Sequence, residues 1–248
     1  MDHLLYIAMS GAKENMNSVA LRANNLANAN TTGFKADMEQ ARAMQAFGEG
    51  LPSRVFAMTE RPGQSFAAGP LQTTGRELDV AVAGDGWLAV ESKDGSEAYT
   101  RSGSLQVSPE GLLQTGNGLN VLDDNGGPIF LPLPLEKMEI NKDGTIFARL
   151  EGEPANGGAE LQRIKTVLPD NGDLDKGLDG LFRRKDGQAE PPSAQVQLIA
   201  GALEGSNVNP VAEMTHLIDL QRRFETQLKM MNHAEENDKA HAQLLRIG

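Results

Sequence analysis

The chain has no cysteine, which removes disulfides, thiolate nucleophiles and every cysteine-containing zinc motif. Aromatic residues make up only 4% of its 248 residues, and Trp87 is the single tryptophan, thin provision for a ligand pocket lined with rings. There is no run of Lys and Arg interleaved with aromatics, and a net charge of −11 repels a phosphate backbone, so nucleic acid is not an expected partner. No apolar run approaches the roughly 20 residues that cross a bilayer, so no direct membrane span is expected. The opening segment carries Asp2 where a secretory signal needs basic residues, and its first Lys is Lys13, so no cleaved Sec signal is read there. No G-x-S-x-G elbow, Walker sequence or kinase signature occurs, and the four histidines lack H-x-x-x-H spacing. The expectation is therefore no catalytic residue, no metal and no cofactor.

What the chain does have is periodicity at its two ends. Leu5, Met9, Ala12, Met16, Val19, Ala23 and Leu26 alternate at spacings of four and three, a heptad stripe that predicts a long helix. Asn30-Thr31-Thr32-Gly33-Phe34 should end it near residues 30–33, because Thr and Asn favour non-helical backbone and Gly33 can adopt a left-handed cap with Phe34 folding back. Met214, Leu217, Gln221, Phe224, Leu228, Met231, Glu235, Asp238, Ala242 and Leu245 repeat the alternation, and Asn209-Pro210 supplies a start for this second helix. Between them lie short runs rich in Val, Ile, Leu and Thr, punctuated by Asp94-Gly95, Glu110-Gly111, Asn125-Gly126, Asp143-Gly144 and Asp186-Gly187, the pattern of a β-rich domain. Residues 37–47 read as a short Ala-rich helix, and residues 48–75 as an extended linker.

The fold class expected is α+β: two long terminal helices packed as a coiled-coil-like pair, a connector and a β-rich middle domain. The divisions fall at 1–34 for the first helix, 35–75 for the connector, 76–200 for the β-rich domain, and 201–248 for a return segment and the last helix. Such a helix pair is marginal alone. Each well-buried larger side chain contributes about 1–2 kcal/mol, while each of some sixty residues ordered costs about 1–2 kcal/mol of backbone entropy before hydrogen bonds offset part of it. Something more should cover it. From Asn15 to Thr32 the only charge is Arg22, while Asn17, Asn24, Asn25 and Asn28 lie off the stripe, so this surface is expected to meet other protein through amide hydrogen bonds. The last helix carries mixed charges from Asp219 to Lys239, and one of its faces should meet water.

Two motifs invite chemistry. Gly84-Asp85-Gly86-Trp87-Leu88-Ala89 formally matches a G-x-G-x-x-A phosphate turn, but no helical pattern follows it, and a turn between two strands is expected instead. The acidic run from Asp170 to Gly180 suggests calcium, yet counting from Asp173 the sixth position is Leu178 where an EF-hand loop needs Gly; a turn-rich loop is the expectation.

Several segments together resemble a known family. Ala23-Asn24-Asn25-Leu26-Ala27-Asn28-Ala29-Asn30-Thr31-Thr32-Gly33-Phe34-Lys35 is similar to the N-terminal signature of flagellar rod and hook axial proteins. Gly69-Pro70-Leu71-Gln72-Thr73-Thr74-Gly75, Leu78-Asp79-Val80-Ala81-Val82, Gly84-Asp85-Gly86-Trp87 and Tyr99-Thr100-Arg101-Ser102-Gly103-Ser104-Leu105 resemble its central block, which usually has Phe where this chain has Trp87. Leu203-Glu204-Gly205-Ser206-Asn207-Val208-Asn209 and Gln221-Arg222-Arg223-Phe224-Glu225 resemble its C-terminal signature. The opening Met1 to Ala12 points to a proximal-rod member, with the distal-rod protein a close sibling.

The resemblance implies a non-enzymatic structural subunit of the proximal flagellar rod. It would assemble through its terminal helices into the axial shaft that transmits torque and encloses the export channel. The partners implied are copies of itself, other rod proteins both proximal and distal, and the flagellar export apparatus during secretion. The location implied is the basal body, in the periplasmic rod. The assembly interface is expected at Leu5, Met9, Ala12, Met16, Val19, Ala23, Asn24, Asn25, Leu26, Asn28, Phe34, Met214, Leu217, Phe224, Leu228, Met231 and Leu245. The competing class is a β-rich binding domain or enzyme with a coiled-coil oligomerisation element.

Overall fold

The computed structural model describes residues 2–45, 55–152, 154 and 158–247, with side-chain placement over 7–39, 63–152, 154, 158–237 and 239–240. Helix α1 spans Asp2–Ala27. It closes about one turn earlier than the Thr-Thr-Gly signal implies: the Asn28 amide is shared between the carbonyls of Asn24 and Asn25, and Ala29 bonds Leu26 in a tightened last turn. Helix α2 spans Pro210–Ile247, where Asn209 accepts from the amides of Val211 and Ala212, so Asn and Pro start it as their chemistry dictates.

Residues 37–45 are not a helix. They form strand β1, Asp37–Gln45, which pairs antiparallel with β2, Val55–Gln64, from Asp37↔Gln64 to Gln45↔Val55 with one irregularity between Met38 and Gln40. The helical preference of two alanines over β-formers is a few tenths of a kcal/mol each, and a ladder of cross-strand hydrogen bonds outweighs it. The rest of that expected helix, residues 46–47, lies outside the described residues.

The chain separates into two compact units. The helical unit comprises 1–29, 36–65 and 208–248, and the β unit 30–35 and 66–207. Within the helical unit, α1 and α2 run antiparallel, since Asn15, midway along α1, meets Gln227, while Arg22, later in α1, meets Glu213, earlier in α2. They do not make the coiled-coil-like pair expected from the heptad stripe. A coiled coil needs both stripe positions buried as knobs, but Met9, Met16, Ala23, Met214 and Leu228 are exposed. Of the predicted stripe only every seventh residue turns inward, Ala12, Val19 and Leu26 on α1 and Leu217, Phe224 and Met231 on α2, and between them lie polar contacts and, on α2, the half-buried Leu220 and Ala234. The overturned part of the expectation is the seam; the α+β content stands.

In the β unit the strand Leu71–Thr73 pairs with Ala202–Glu204, and Val80–Ala83 with Gln197–Ala200, so both return strands come from the far end of the unit. Trp87–Glu91 and Glu97–Thr100 form a hairpin in a five-stranded antiparallel sheet with Thr166–Val167, Phe182–Arg184 and Leu174–Lys176. A three-stranded sheet follows from Leu135–Ile140, Thr145–Leu150 and Ala159–Arg163. Leu88, Leu105, Leu113, Val121, Ile129, Ile146 and Ile164 are fully buried in one core. Trp87, Tyr99 and Phe182 form another, with Trp87 and Phe182 rings 4.5 Å apart and Phe66 edge-on to Trp87 at 6.1 Å. Residues 84–85 are a turn between Val80–Ala83 and Trp87–Glu91, with no helix to present amides to a phosphate. The acidic run holds a 3-10 turn at Asn171–Asp173 and a hairpin, in which Asp170 accepts from the Gly172 amide and Asp179 pairs with Arg183 at 2.7 Å.

The closest backbone approach tests this packing. A Cβ on Gly103 would sit 1.8 Å from the Val80 carbonyl oxygen, whereas one on Gly95, in an open turn at φ +81, would touch nothing. Gly103→Ala should lower the unfolding free energy of the β unit by about 3 kcal/mol, against about 1 kcal/mol for Gly95→Ala, where only the left-handed backbone objects. Denaturant titration followed by Trp87 fluorescence checks both, and equal losses would contradict the packing described.

Candidate assembly interface

The faces of α1 divide by what they touch. Towards α2, the Asn15 amide donates to Gln227 at 2.9 Å, Arg22 pairs with Glu213 at 3.1 Å, and a Cβ on Gly11 would lie 2.8 Å from the Gln227 side chain. Towards β1, Asn25 is fully buried, donating to the Asp37 carbonyl and accepting from the Asp37 amide, both at 2.9 Å, and Ser18 donates to Glu39. Asn25 thus mimics a strand partner at the start of β1, and its amide is occupied within the chain rather than offered to a neighbour. Asn28 donates to the Asn24 carbonyl at 2.9 Å.

The remaining face points out and carries Met9, Lys13, Met16, Asn17, Ala20, Ala23, Asn24 and Ala27, all exposed, with Lys13 its one charge. Met16 stands 64% exposed. On α2, Val211, Met214 and Ile218 are exposed at helical spacing, Val211 at 71%, and Leu228 and Met230 are exposed further along. Half of the stripe that predicts an internal seam therefore joins two of the asparagines on an outward surface. Phe34 is half-buried with the Lys176 ammonium 4.0 Å from its ring centre. The side chains of Leu5 and Leu245 lie outside the described residues.

A second arrangement, absent from the sequence expectations, holds the segment that leaves α1. Glu204 is buried, and one carboxylate oxygen accepts from Lys35 Nζ at 2.7 Å and from the Gly69 amide at 2.9 Å, while the other accepts from Arg101 at 3.0 Å. Lys35 Nζ also donates to the Ala67 carbonyl at 2.9 Å, and the Arg101 guanidinium lies 5.0 Å from the Trp87 ring centre. Around this knot the Gly33 amide donates to the Glu204 carbonyl, Asn207 to the Phe34 carbonyl, and Gly205 to the Pro70 carbonyl. Gly33, at φ +68, lies so close that a Cβ would sit 2.3 Å from the Arg101–Ser102 peptide; its glycine serves this approach, seven residues after α1 passes Leu26, rather than a helix cap. Sequence reasoning missed Lys35, Arg101 and Glu204, although each sits in a segment quoted for the family resemblance. The available signal was a lone charge in an otherwise uncharged run, as in Thr-Thr-Gly-Phe-Lys35 and Leu-Glu204-Gly-Ser-Asn.

The helical unit has an apolar, charge-poor outer face, the β unit holds a buried ionic knot, and the described residues hold no cluster of His, Asp or Glu fit for a metal. Three family models match: "Flagella basal body rod protein" over 5–35, "Flagellar hook protein FlgE/F/G D1 domain" over 81–148, and "Flagellar basal body rod FlgEFG protein C-terminal" over 199–244. The chain is 42% identical to the flagellar basal-body rod protein FlgF of Escherichia coli strain K12 and 41% identical to that of Salmonella typhimurium, with all of each chain covered. It is 31% identical to the rod protein FlgG of Bacillus subtilis, over 94% of this chain and 95% of the relative. The class is thus the rod and hook proteins of the flagellum. The chain belongs to the FlgF family of flagellar basal-body rod proteins, and it is a structural subunit of the rod in the basal body.

Burial alone would raise the Glu204 carboxyl, but the hydrogen bonds from Lys35 and Gly69 and the Arg101 charge outweigh it and hold the group below its ordinary 4.5. A depressed carboxyl contributes stability that is complete above its ordinary value and is lost as pH falls through the lowered one. Glu204→Gln should therefore cost about 3–5 kcal/mol near neutrality, by leaving two buried cations underpaired. Its deficit relative to the parent should shrink as pH falls below 4.5. Unfolding followed by Trp87 fluorescence between neutral and acid pH measures this, and a deficit independent of pH would refute it.

Proposed function

We propose that this subunit joins the axial shaft of the proximal rod through the outward faces of α1 and α2, and that the shaft transmits torque and encloses the export channel. The observation that carries this reading is the α1 face of Met9, Met16, Ala20, Ala23 and Ala27 with Asn17 and Asn24, beside the Val211, Met214 and Ile218 stripe of α2. A water-facing helix normally carries Lys and Glu there, and a contiguous apolar surface favours burial against protein. Small residues let helices approach closely, and the two exposed amides have hydrogen bonds to give. Copies of this chain and other rod proteins, proximal and distal, are the partners. The role is mechanical and not catalytic. The subunit reaches its periplasmic site through the flagellar export apparatus.

In the layered arrangement proposed, α2 faces the channel from Asp219 onward, while its opening turns, with Val211, Met214 and Ile218, meet neighbouring subunits. A wall that passes unfolded chains should be hydrated and free of apolar patches, and Asp219, Arg222, Arg223 and Lys229, exposed on α2, suit it. α1 lies one layer out with its charge-poor face against neighbouring subunits. The chain has no cysteine of its own, so single cysteines report cleanly. In assembled rods, Lys229→Cys should react with a small hydrophilic maleimide that enters the channel and Asn17→Cys should be protected; the reverse pattern would overturn the layering.

Met16→Asp and Leu228→Asp each put a charge on the proposed interface at a position already exposed in the monomer. Each should abolish rod assembly and swimming while shifting the Trp87-monitored unfolding by no more than about 0.5 kcal/mol. Normal rods from either variant would remove that face from the interface.

A further inference from the structure

The chain passes between the helical unit and the β unit four times, at 29/30, 35/36, 65/66 and 207/208. On the β side, every one of these crossings leads directly into the Glu204 knot. The segment 30–35 is held at Gly33 by the Glu204 carbonyl and at Lys35 by its carboxylate. The segment entering at 66 is held at Ala67 by Lys35 Nζ and at Gly69 by the Glu204 carboxylate. The segment leaving at 207 carries Glu204 itself, and Asn207 donates through its backbone to Phe34 and through its side chain to Ala67. Arg101 anchors the carboxylate to the Trp87 core.

We infer that the Lys35–Glu204–Arg101 knot is a mechanical clamp, which keeps the four crossing segments in register so that load on the helical unit reaches the β unit through all of them together. This rests on the proposed role in a torque-transmitting shaft. A single covalent crossing between units transmits tension but turns freely about its backbone dihedrals, whereas four segments fixed to one another resist twist. A buried ion cluster suits the task because its cost of rupture is high and its geometry specific: a sliding segment would strand a charge without a partner. Lys35 and Glu204 are in this sense positioning residues, acting through the backbone of segments that they do not belong to.

Hydrogen exchange on the full-length monomer separates a clamp from a local contact. The four reporter amides are Gly33, Gly69, Gly205 and Asn207, and Gly95 and Gly126, bonded to Ser92 and Asp123 in open turns that fluctuate locally without breaking the knot, are the controls. Glu204→Gln should accelerate all four reporters together by about 10- to 100-fold while the controls stay unchanged. Lys35→Met, which leaves the Gly69 and Arg101 bonds to Glu204 in place, should loosen the same four. Acceleration at Gly69 alone, whose acceptor is the substituted group, or equal acceleration of the controls, would overturn the clamp without touching the assembly proposal. In cells carrying Lys35→Met as the sole copy, rods should form in normal number but swimming speed should fall more steeply with medium viscosity than in the parent. An unchanged speed–viscosity relation, or a complete absence of rods, would overturn the mechanical role.

Discussion

One buried carboxylate organises the passage from helix to sheet. Glu204 gathers a lysine from the end of the N-terminal signature, an arginine from the central block and a backbone amide from the segment at Gly69. These parts are far apart in sequence, at residues 35, 69, 101 and 204, and no local propensity would bring them together. The desolvation of such a cluster is unfavourable by several kcal/mol for each ion and is offset only if every partner arrives. That all-or-none character makes it a device of specificity: a strand register shifted by one residue between Leu71–Thr73 and Ala202–Glu204 would turn Glu204 to the opposite face and leave Lys35 and Arg101 buried without an anion.

The helical unit is built on the opposite principle. Its helices meet through polar contacts, Asn15 on Gln227 and Arg22 on Glu213, with Asn25 on the β1 backbone, and through half-buried Val19, Leu26, Leu217, Phe224 and Met231, while Met9, Met16, Met214 and Ile218 are left outside. A coiled coil of the same length would bury both stripe positions and satisfy itself as a pair. Here the stripe is divided. One face of α1 serves the chain's own α2 and another the hairpin, while a third leaves Met9, Met16, Ala20, Ala23 and Ala27 exposed. On the proposed reading the divided stripe follows from assembly, since a residue buried within the monomer cannot also bind a neighbour.

The architecture was legible where local chemistry decides it. Asn209-Pro210 starts α2, the Asp-Gly and Asn-Gly pairs fall in turns of the β unit, and the alternation of Val, Ile and Leu marks strands that are in fact buried. It was illegible where a partner distant in sequence decides. Residues 37–45 have the composition of a helix and become a strand because Val55–Gln64 supplies a ladder, and the heptad stripe suggests a seam because periodicity cannot say which of several neighbours a face will meet. The charge knot was hidden for the same reason. Lys35, Arg101 and Glu204 read as surface charges singly, and only their isolation within apolar or amide-rich runs hints otherwise.

The distribution of charge reconciles solubility with assembly. A net charge of −11 keeps free subunits apart through long-range repulsion, which salt screens beyond about 8 Å at physiological ionic strength. The outward face of α1 carries almost none of that charge. In the proposed contact Lys13 is the one charge that α1 brings, so the apolar gain from methionine and alanine is opposed by little repulsion beyond the entropy of ordering them. The acidic groups that do produce the net charge lie elsewhere, many of them in the β unit, where Asp170 caps a turn and Asp179 and Asp186 pair with arginines. On the proposed reading repulsion is therefore weakest between the helical faces that meet, so the same sequence that disfavours random association leaves that contact open.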